Sequence, residues 1–186
     1  LYGLGEPFMD PRIFDLLERC KSLGLGTIVS TNATFLNAER RARLIDSGCD
    51  HLLVGIDGAS EETYSFYRAG GKYHRVVANM KALAAEKRSR GRGPYIVVQM
   101  IRMKRNWHEQ DAFLEQWRGV PGIDEARVKD EDIGLAQHRT YAVDGHLRQN
   151  PCHILWRGPM IVRYNGDVYP CYHTAEHGKP AGNLAE

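Results

Sequence analysis

Short apolar runs alternate along this chain with stretches whose apolar residues recur at helical spacing. One run ends at Leu4. Others cover TIVST (Thr27 to Thr31), LLVGI (Leu52 to Ile56), YIVVQMI (Tyr95 to Ile101) and, more weakly, EARVK (Glu125 to Lys129). Runs of this length and composition predict strands buried on both faces, the pattern of parallel sheets. Between them, Ile13, Leu16, Leu17, Cys20 and Leu23 share one helical face, with Asp10 as N-cap, Pro11 at the first helical position and Gly24 just past the end. Ala38, Ala42 and Ile45 predict a second helix, capped by Asn37 and stopped by Gly48. Val76, Val77, Met80, Leu83 and Ala84 predict a third, and Phe113, Leu114 and Trp117 a fourth. Strand and helix in alternation predict right-handed βαβ units, hence an α/β fold. A closed or partly closed barrel and an open doubly wound sheet both fit. In either, ligand-binding groups collect at the C-terminal ends of the strands.

The texture changes near Leu147. The segment MIVRY-NG-DVY has no helical period and predicts a β-hairpin, with Asn165-Gly166 as a type I′ turn. The expected division is an α/β core over residues 1–148 and a small β-rich, cysteine-bearing module over 149–186.

Composition adds limits. Hydrophobic residues make up 42% and charged residues 26%, with a net charge of +2. This is ordinary globular material, with no overall field that favours nucleic acid or a membrane surface. The basic run EKRSRGRG (Glu86 to Gly93) ends a helical pattern and reads as a solvated helix terminus. No apolar run is long enough to span a bilayer, and no signal peptide is visible. The chain opens inside an apolar stretch and is expected to be a fragment. The 4 cysteines, Cys20, Cys49, Cys152 and Cys171, are too few and scattered for a disulfide framework. A reducing, cytoplasmic setting is expected.

Polar residues gather where the strands end: GLGEP at Gly3 to Pro7, STNAT at Ser30 to Thr34, GIDGAS at Gly55 to Ser60, and MKRN leading to Asn106. Glycine lets a ligand approach the backbone, and small polar side chains can bind a polar metabolite. Gly3-Leu4-Gly5 is a poor phosphate loop. The third glycine of a dinucleotide fingerprint is replaced by Phe8, and Glu6 would repel phosphate. Glu6 suits a cationic group such as an ammonium.

On these residues the chain resembles the radical S-adenosylmethionine (SAM) enzymes. GLGEP resembles the family's Gly-Gly-Glu-Pro motif, with Leu4 in place of a glycine. STNATFLN resembles its Thr-Asn-Gly segment, with Ala33 in place of glycine. Leu52 to Leu83 resembles its Ser-Leu-Asp-Gly strand, Tyr-x-x-x-Arg segment (Tyr64 and Arg68) and glycine-rich loop. The resemblance implies a partial parallel (β/α)6-type barrel with SAM bound by Gly5, Glu6, Pro7, Ser30, Asn32, Gly55, Asp57, Arg68, Asn106 and Val128. Glu6 would hold the methionine ammonium and Arg68 its carboxylate. Asn106 would help hold the ribose region, and Val128 would border the adenine. Gly55 stands where the family usually has serine, which removes a hydroxyl contact.

The C-terminal segment resembles the start of a SPASM domain, through Cys152, Gly166, Cys171 and the GNLAE stretch from Gly182 to Glu186. This implies an auxiliary iron–sulfur cluster with Cys152 and Cys171 among its ligands. The family's catalytic [4Fe–4S] cluster is held by a Cys-x-x-x-Cys-x-x-Cys loop before the Gly-Gly-Glu-Pro motif, and Cys20 and Cys49 read instead as small core residues. The resemblance implies a 5′-deoxyadenosyl radical that abstracts hydrogen from a peptide, a sugar or an aminocyclitol, with an electron donor such as flavodoxin or ferredoxin. The chain as it stands is expected to be inactive. Two other readings stay open. One is a non-catalytic barrel that binds a partner. The other is a SAM-independent aldolase or hydrolase barrel, with zinc held by Cys152, Cys171 and two of His153, His173 and His177. Trp107, Trp117 and Trp156 are expected to serve core packing.

Overall fold

The computed structural model describes residues 5–130, 159–171, 174, 175 and 178–185. Contacts divide the chain near residue 131 into two units. The run ending at Leu4 and the boundary expected at 148 and 149 lie outside the described residues.

In the first unit the apolar runs form β1 (Ile28–Thr31), β2 (His51–Gly55), β3 (Tyr95–Arg102) and β4 (Glu125–Asp130). All pair in parallel, in the order β1-β2-β3-β4. The helices are α1 (Ile13–Ser22), α2 (Ala38–Asp46), α3 (Glu61–Tyr67), α4 (Tyr73–Arg90) and α5 (Gln110–Trp117). Asn37 caps α2 by accepting the Arg40 N–H at 2.9 Å, and Gly48 supplies the left-handed turn after it, at φ +71°.

Three local expectations change. Asp10 accepts the Arg12 N–H at 2.9 Å, so α1 starts at Ile13 rather than Pro11. Its buried face is Ile13, Phe14 and Leu17, while Leu16 and Leu23 are 45% and 57% exposed. Phe14 turns inward because it stacks against Phe8, with ring centroids 5.7 Å apart. Helix α3 was not expected, since 7 residues are too few to show a period. Ser60 starts it by accepting the Thr63 N–H at 3.2 Å.

The strands are not uniformly buried on both faces. Val29, Leu52, Val54, Ile96, Val98 and Met100 lie on one face and pack against Leu17, Leu44, Met80, Leu83, Phe113 and Trp117 of the helices. On the other face Ile28 is 50% exposed, and Ser30, Leu53 and Gly55 are half-buried. Only β3 is buried continuously, from Ile96 to Met100. The reason is one-sided packing. Residues of α1, α2, α4 and α5 join a single core with one sheet face, as around a barrel. A doubly wound sheet would carry helices on both faces.

The basic end of α4 is a solvated helix terminus, with Arg88, Ser89 and Arg90 exposed. Arg90 and Arg92 pair with Asp46, and Lys87 with Asp124. Trp117 is fully buried, but Trp107 is 61% exposed and does not serve the core. Trp156 lies outside the described residues. Among the described residues, no helix is long and apolar enough to cross a membrane.

The second unit holds β5 (Ile161–Val162), β6 (Asp167–Tyr169) and β7 (Gly182–Asn183) in an antiparallel sheet. The expected hairpin forms, with a different turn. The Gly166 N–H donates to the Arg163 carbonyl at 3.0 Å. Gly166 has φ +87°, but Asn165 does not adopt a positive φ. A type I′ turn needs positive φ at both central residues, so this is instead a three-residue loop closed by a left-handed glycine. The side chain of Asn183 decides it. Its Nδ2 donates to the Asn165 carbonyl at 3.1 Å and to Asp167 at 3.0 Å. A Cβ at Gly166 would stand 2.7 Å from Asn183 Oδ1.

Candidate functional site

The sequence places polar groups at the C-terminal ends of the strands, and the fold ties most of them into two carboxylate-centred clusters.

The first is built on Glu6. Its backbone starts a short 3-10 turn at Pro7–Met9. Gly5 before it has φ +115°, which favours glycine. Glu6 Oε1 accepts the Thr31 hydroxyl at 2.7 Å and the Phe8 N–H at 3.2 Å, and Oε2 accepts the Asn32 N–H at 2.8 Å. Thr31, 4% exposed, also accepts the Ala33 N–H at 3.0 Å. Ala33 is buried and left-handed, at φ +60°. Its carbonyl accepts the Asn79 amide of α4 at 2.9 Å, which offsets the cost of that conformation. Asn32 Oδ1 accepts the Thr34 N–H at 2.9 Å, folding its side chain onto its own turn. Ser30 lies one residue before Thr31, on the half-open face.

The second is built on Asp57, just past β2. Asp57 is 4% exposed. Its Oδ1 accepts the Ile101 N–H at 3.0 Å, and its Oδ2 accepts Arg68 Nε at 2.9 Å and Nη2 at 2.6 Å. Arg68 ends α3, four residues after Tyr64, which is buried beneath the glycine-rich loop. A Cβ at Gly71 would meet the Tyr64 ring at 2.7 Å. Asn106 is fully buried and braces the same junction. Its Oδ1 accepts the Met103 N–H at 2.6 Å, and its Nδ2 donates to the carbonyls of Asp57 (3.2 Å) and Ile101 (2.8 Å).

Two placements bear on the expected site. Asn106 donates both amide hydrogens to protein carbonyls, one of them 49 residues away, and so braces the loop against the end of β2. Val128 pairs in register with Met100 on the helix-covered face. Gly55 and Gln99 stand in register on the opposite, half-open face. Val128 can therefore meet a ligand on that face only through its backbone.

Sequence reading missed Thr31, Asn79 and Glu109. Glu109 accepts the Ala59 N–H at 2.7 Å, the Ser60 hydroxyl at 2.6 Å and the Thr63 hydroxyl at 2.8 Å, and so locks the start of α3. Burial raises its pKa, but the three donated hydrogen bonds outweigh that and hold it below the usual glutamate value.

Among the described residues, no group of three His, Cys, Asp or Glu side chains could hold a metal ion. Cys49 is buried, its thiol donates to the His51 carbonyl at 3.3 Å, and burial pushes its pKa up, against the thiolate a metal would need. In the second unit Cys171 is buried, with the Thr174 hydroxyl 3.7 Å from its sulfur. Cys152, His153, His173 and His177 lie outside the described residues.

The family model of the radical SAM superfamily matches residues 1–112. The chain belongs to the radical SAM superfamily. An AdoMet-dependent heme synthase of Methanosarcina barkeri is 34% identical to this radical SAM chain over 42% of it and 23% of the relative. The PqqA peptide cyclase of Rhizobium meliloti is 33% identical over 44% of the chain and 22% of the relative. The solved structure of SuiB from Streptococcus suis, bound to its precursor peptide SuiA, superposes with a TM-score of 0.70 at 15% identity, covering 98% of this chain and 50% of SuiB. The chain thus spans about a quarter of these two relatives and half of SuiB. The superposition establishes the partial barrel fold.

Proposed function

We propose that the protein carrying this chain binds SAM at the C-terminal ends of β1 to β4 and uses it for radical maturation of a peptide substrate. The observation that carries the reading is a pair of opposite charges held at the neighbouring ends of β1 and β2, Glu6 through Thr31 and Arg68 through Asp57, each keeping room for a partner. Glu6 has accepted three hydrogen bonds, and a carboxylate offers about four acceptor positions. Arg68 uses Nε and Nη2 on Asp57, and its Nη1 has no partner among the described residues. A methionine ammonium fits the first group and its carboxylate the second, as charge-assisted hydrogen bonds. Gly5 and Pro7 shape the Glu6 turn. Ser30 and Asn32 border it, and Asn106 and Asp57 hold the Arg68 side.

When bound beside a reduced [4Fe–4S] cluster, SAM supplies one-electron cleavage of its sulfonium and hydrogen abstraction from the substrate. Among the described residues, Cys20, Cys49 and Cys171 form no group that could supply the thiolates for that cluster. The role left to this part of the chain is to orient the methionyl group and exclude water around it. Cys171, with Cys152, is assigned to an auxiliary cluster, and a flavodoxin- or ferredoxin-type protein in the cytoplasm to electron supply. A peptide substrate is favoured over a sugar or aminocyclitol, because PqqA peptide cyclase and peptide-bound SuiB are among the proteins this chain resembles.

The test uses the full-length protein with its clusters reconstituted. SAM affinity is measured by calorimetry, and 5′-deoxyadenosine is quantified after adding dithionite. Wild type should bind SAM and release 5′-deoxyadenosine, and Glu6→Gln should weaken binding about tenfold or more, the worth of a charge-assisted hydrogen bond. A protein that neither binds nor cleaves SAM refutes the reading.

A further inference from the structure

Strand β3 is buried continuously from Ile96 to Met100, and Gln99 is the one polar side chain in that run, 9% exposed. An amide set among apolar neighbours costs free energy unless it is hydrogen-bonded. Its partner is Arg127 of β4, which stands in register beside it and donates Nε to Gln99 Oε1 at 2.9 Å. Gly55 of β2 stands in register on the other side of Gln99. The three residues form one row across the half-open face, and two strand spacings put Arg127 about 10 Å from Gly55. Arg127 is therefore a second guanidinium on this face, separate from the Arg68 and Asp57 group.

The bond to Arg127 fixes which groups remain. Arginine only donates, so Gln99 turns its oxygen toward Arg127 and its Nε2 away. Nε2 makes no hydrogen bond among the described residues, and it is not one of the fully buried atoms left without a partner there, so it opens to solvent. Arg127 Nη2 likewise has no hydrogen-bond partner among the described residues. Its Nη1 meets Glu125 only at 3.4 Å, with the two side chains 46% and 38% exposed, so that pair is weak and easily displaced. The row thus presents donors alone, on a positive charge. The next row, Leu53 beside Val97, is apolar.

Resting on the peptide reading above, we infer that Arg127, held by Gln99, is a specificity-determining residue that binds a carboxylate of the peptide substrate, either an Asp or Glu side chain or the C-terminus. A guanidinium and an amide N–H side by side suit the two oxygens of a carboxylate, and the bonds they make are charge-assisted. A basic side chain would meet repulsion here, and a neutral one would leave the charge of Arg127 unmatched.

The test uses the full-length reconstituted protein with SAM bound and two pools of short random peptides, one with amidated and one with free C-termini. Retained peptides are sequenced and compared with the input for wild type, Arg127→Gln, Arg127→Glu and Gln99→Glu. Wild type should enrich Asp and Glu in the amidated pool, or favour free over amidated termini, by about tenfold, the discrimination a hydrogen bond to a charged group carries. The first result assigns a side-chain carboxylate and the second a terminal one. Arg127→Gln should remove the preference. Arg127→Glu should turn it toward Lys and Arg, a reversal that a merely destabilised protein would not show. Gln99→Glu should remove it with the arginine in place, because the new carboxylate takes up the guanidinium. SAM affinity, measured by calorimetry, should be unchanged in all three variants.

A preference for acidic peptides that survives Arg127→Glu or Gln99→Glu overturns the inference. So does a wild type that binds SAM yet shows no preference in either pool, and so does a loss of SAM affinity in Arg127→Gln, which would assign Arg127 to the cofactor. A wild type that binds no SAM refutes instead the reading on which the inference rests.

Discussion

At the N-terminal ends of the strands, Asp50 accepts the Thr27 N–H at 2.9 Å and the Lys21 ammonium at 2.7 Å. Asp124 there accepts the Ile96 N–H at 2.6 Å and pairs with Lys87. At the C-terminal ends, Glu6 accepts the Asn32 N–H and Asp57 accepts the Ile101 N–H. Both ends thus use a carboxylate to catch a backbone N–H and tie neighbouring segments together. They differ in burial and in what is left over. Asp50 and Lys21 are 32% and 53% exposed, so water competes for the pair, and such pairs are worth about 0 to 1 kcal/mol. Every charge named there has its partner.

Asp57 is buried, and the polar groups around it are held by several bonds each. Glu6 has no cation among the described residues, and Arg68 keeps an open edge. Charges that all have partners make a stable base. Charges held by several hydrogen bonds yet incompletely paired make a site, because their alignment is set before a ligand arrives.

Asp57→Ala should break this contrast most. It strands the Arg68 guanidinium and the Ile101 N–H together, at a cost of about 3 kcal/mol. The melting temperature of the full-length protein should fall and SAM binding should be lost. A change under about 1 kcal/mol would mean that the buried end is no stiffer than the wet one. Thr31→Val comes next. It removes a buried hydroxyl that serves both Glu6 and the Ala33 N–H, which should cost about 1 to 2 kcal/mol and weaken SAM binding. If chemical denaturation shows the stability loss without weaker binding, Thr31 does not orient Glu6.

Asp50→Asn should have the smallest effect at neutral pH, and its sign with pH is fixed. The Lys21 hydrogen bond, then the Thr27 N–H, hold the Asp50 carboxyl below its ordinary value. The stability it adds is therefore present above the unfolded value of about 3.9 and lost as pH falls through the lower folded value. Melting curves for wild type and Asp50→Asn should differ most near neutral pH and converge in acid. Divergence in acid would show that Asp50 acts by something other than its charge.

Much of the first unit was legible in the sequence, because strand runs, helix periods, the Asn37 cap and the Gly48 stop are local signals. Glu6, Gly55 and Arg68 were legible through the motifs that contain them. Three things were not. The open face of the sheet was hidden because Leu53 and Val97 on it are as apolar as Leu52 and Val98 on the packed face, so composition cannot distinguish them. The turn at Gly166 was hidden because Asn183, which braces it, lies in a later strand. Thr31, Asn79 and Glu109 were hidden because their partners are 25, 46 and up to 50 residues away.

The sequence by itself determined the order of elements, their approximate ends and the chemical types of the groups at the strand tips. The tertiary structure alone decided which groups are spent on holding the fold, as Asn106 is, and which keep a free edge, as Arg68 does. Hydrogen-bond capacity is a property of each side chain, but its allocation depends on which distant donors and acceptors the packed core brings within 3 Å or so.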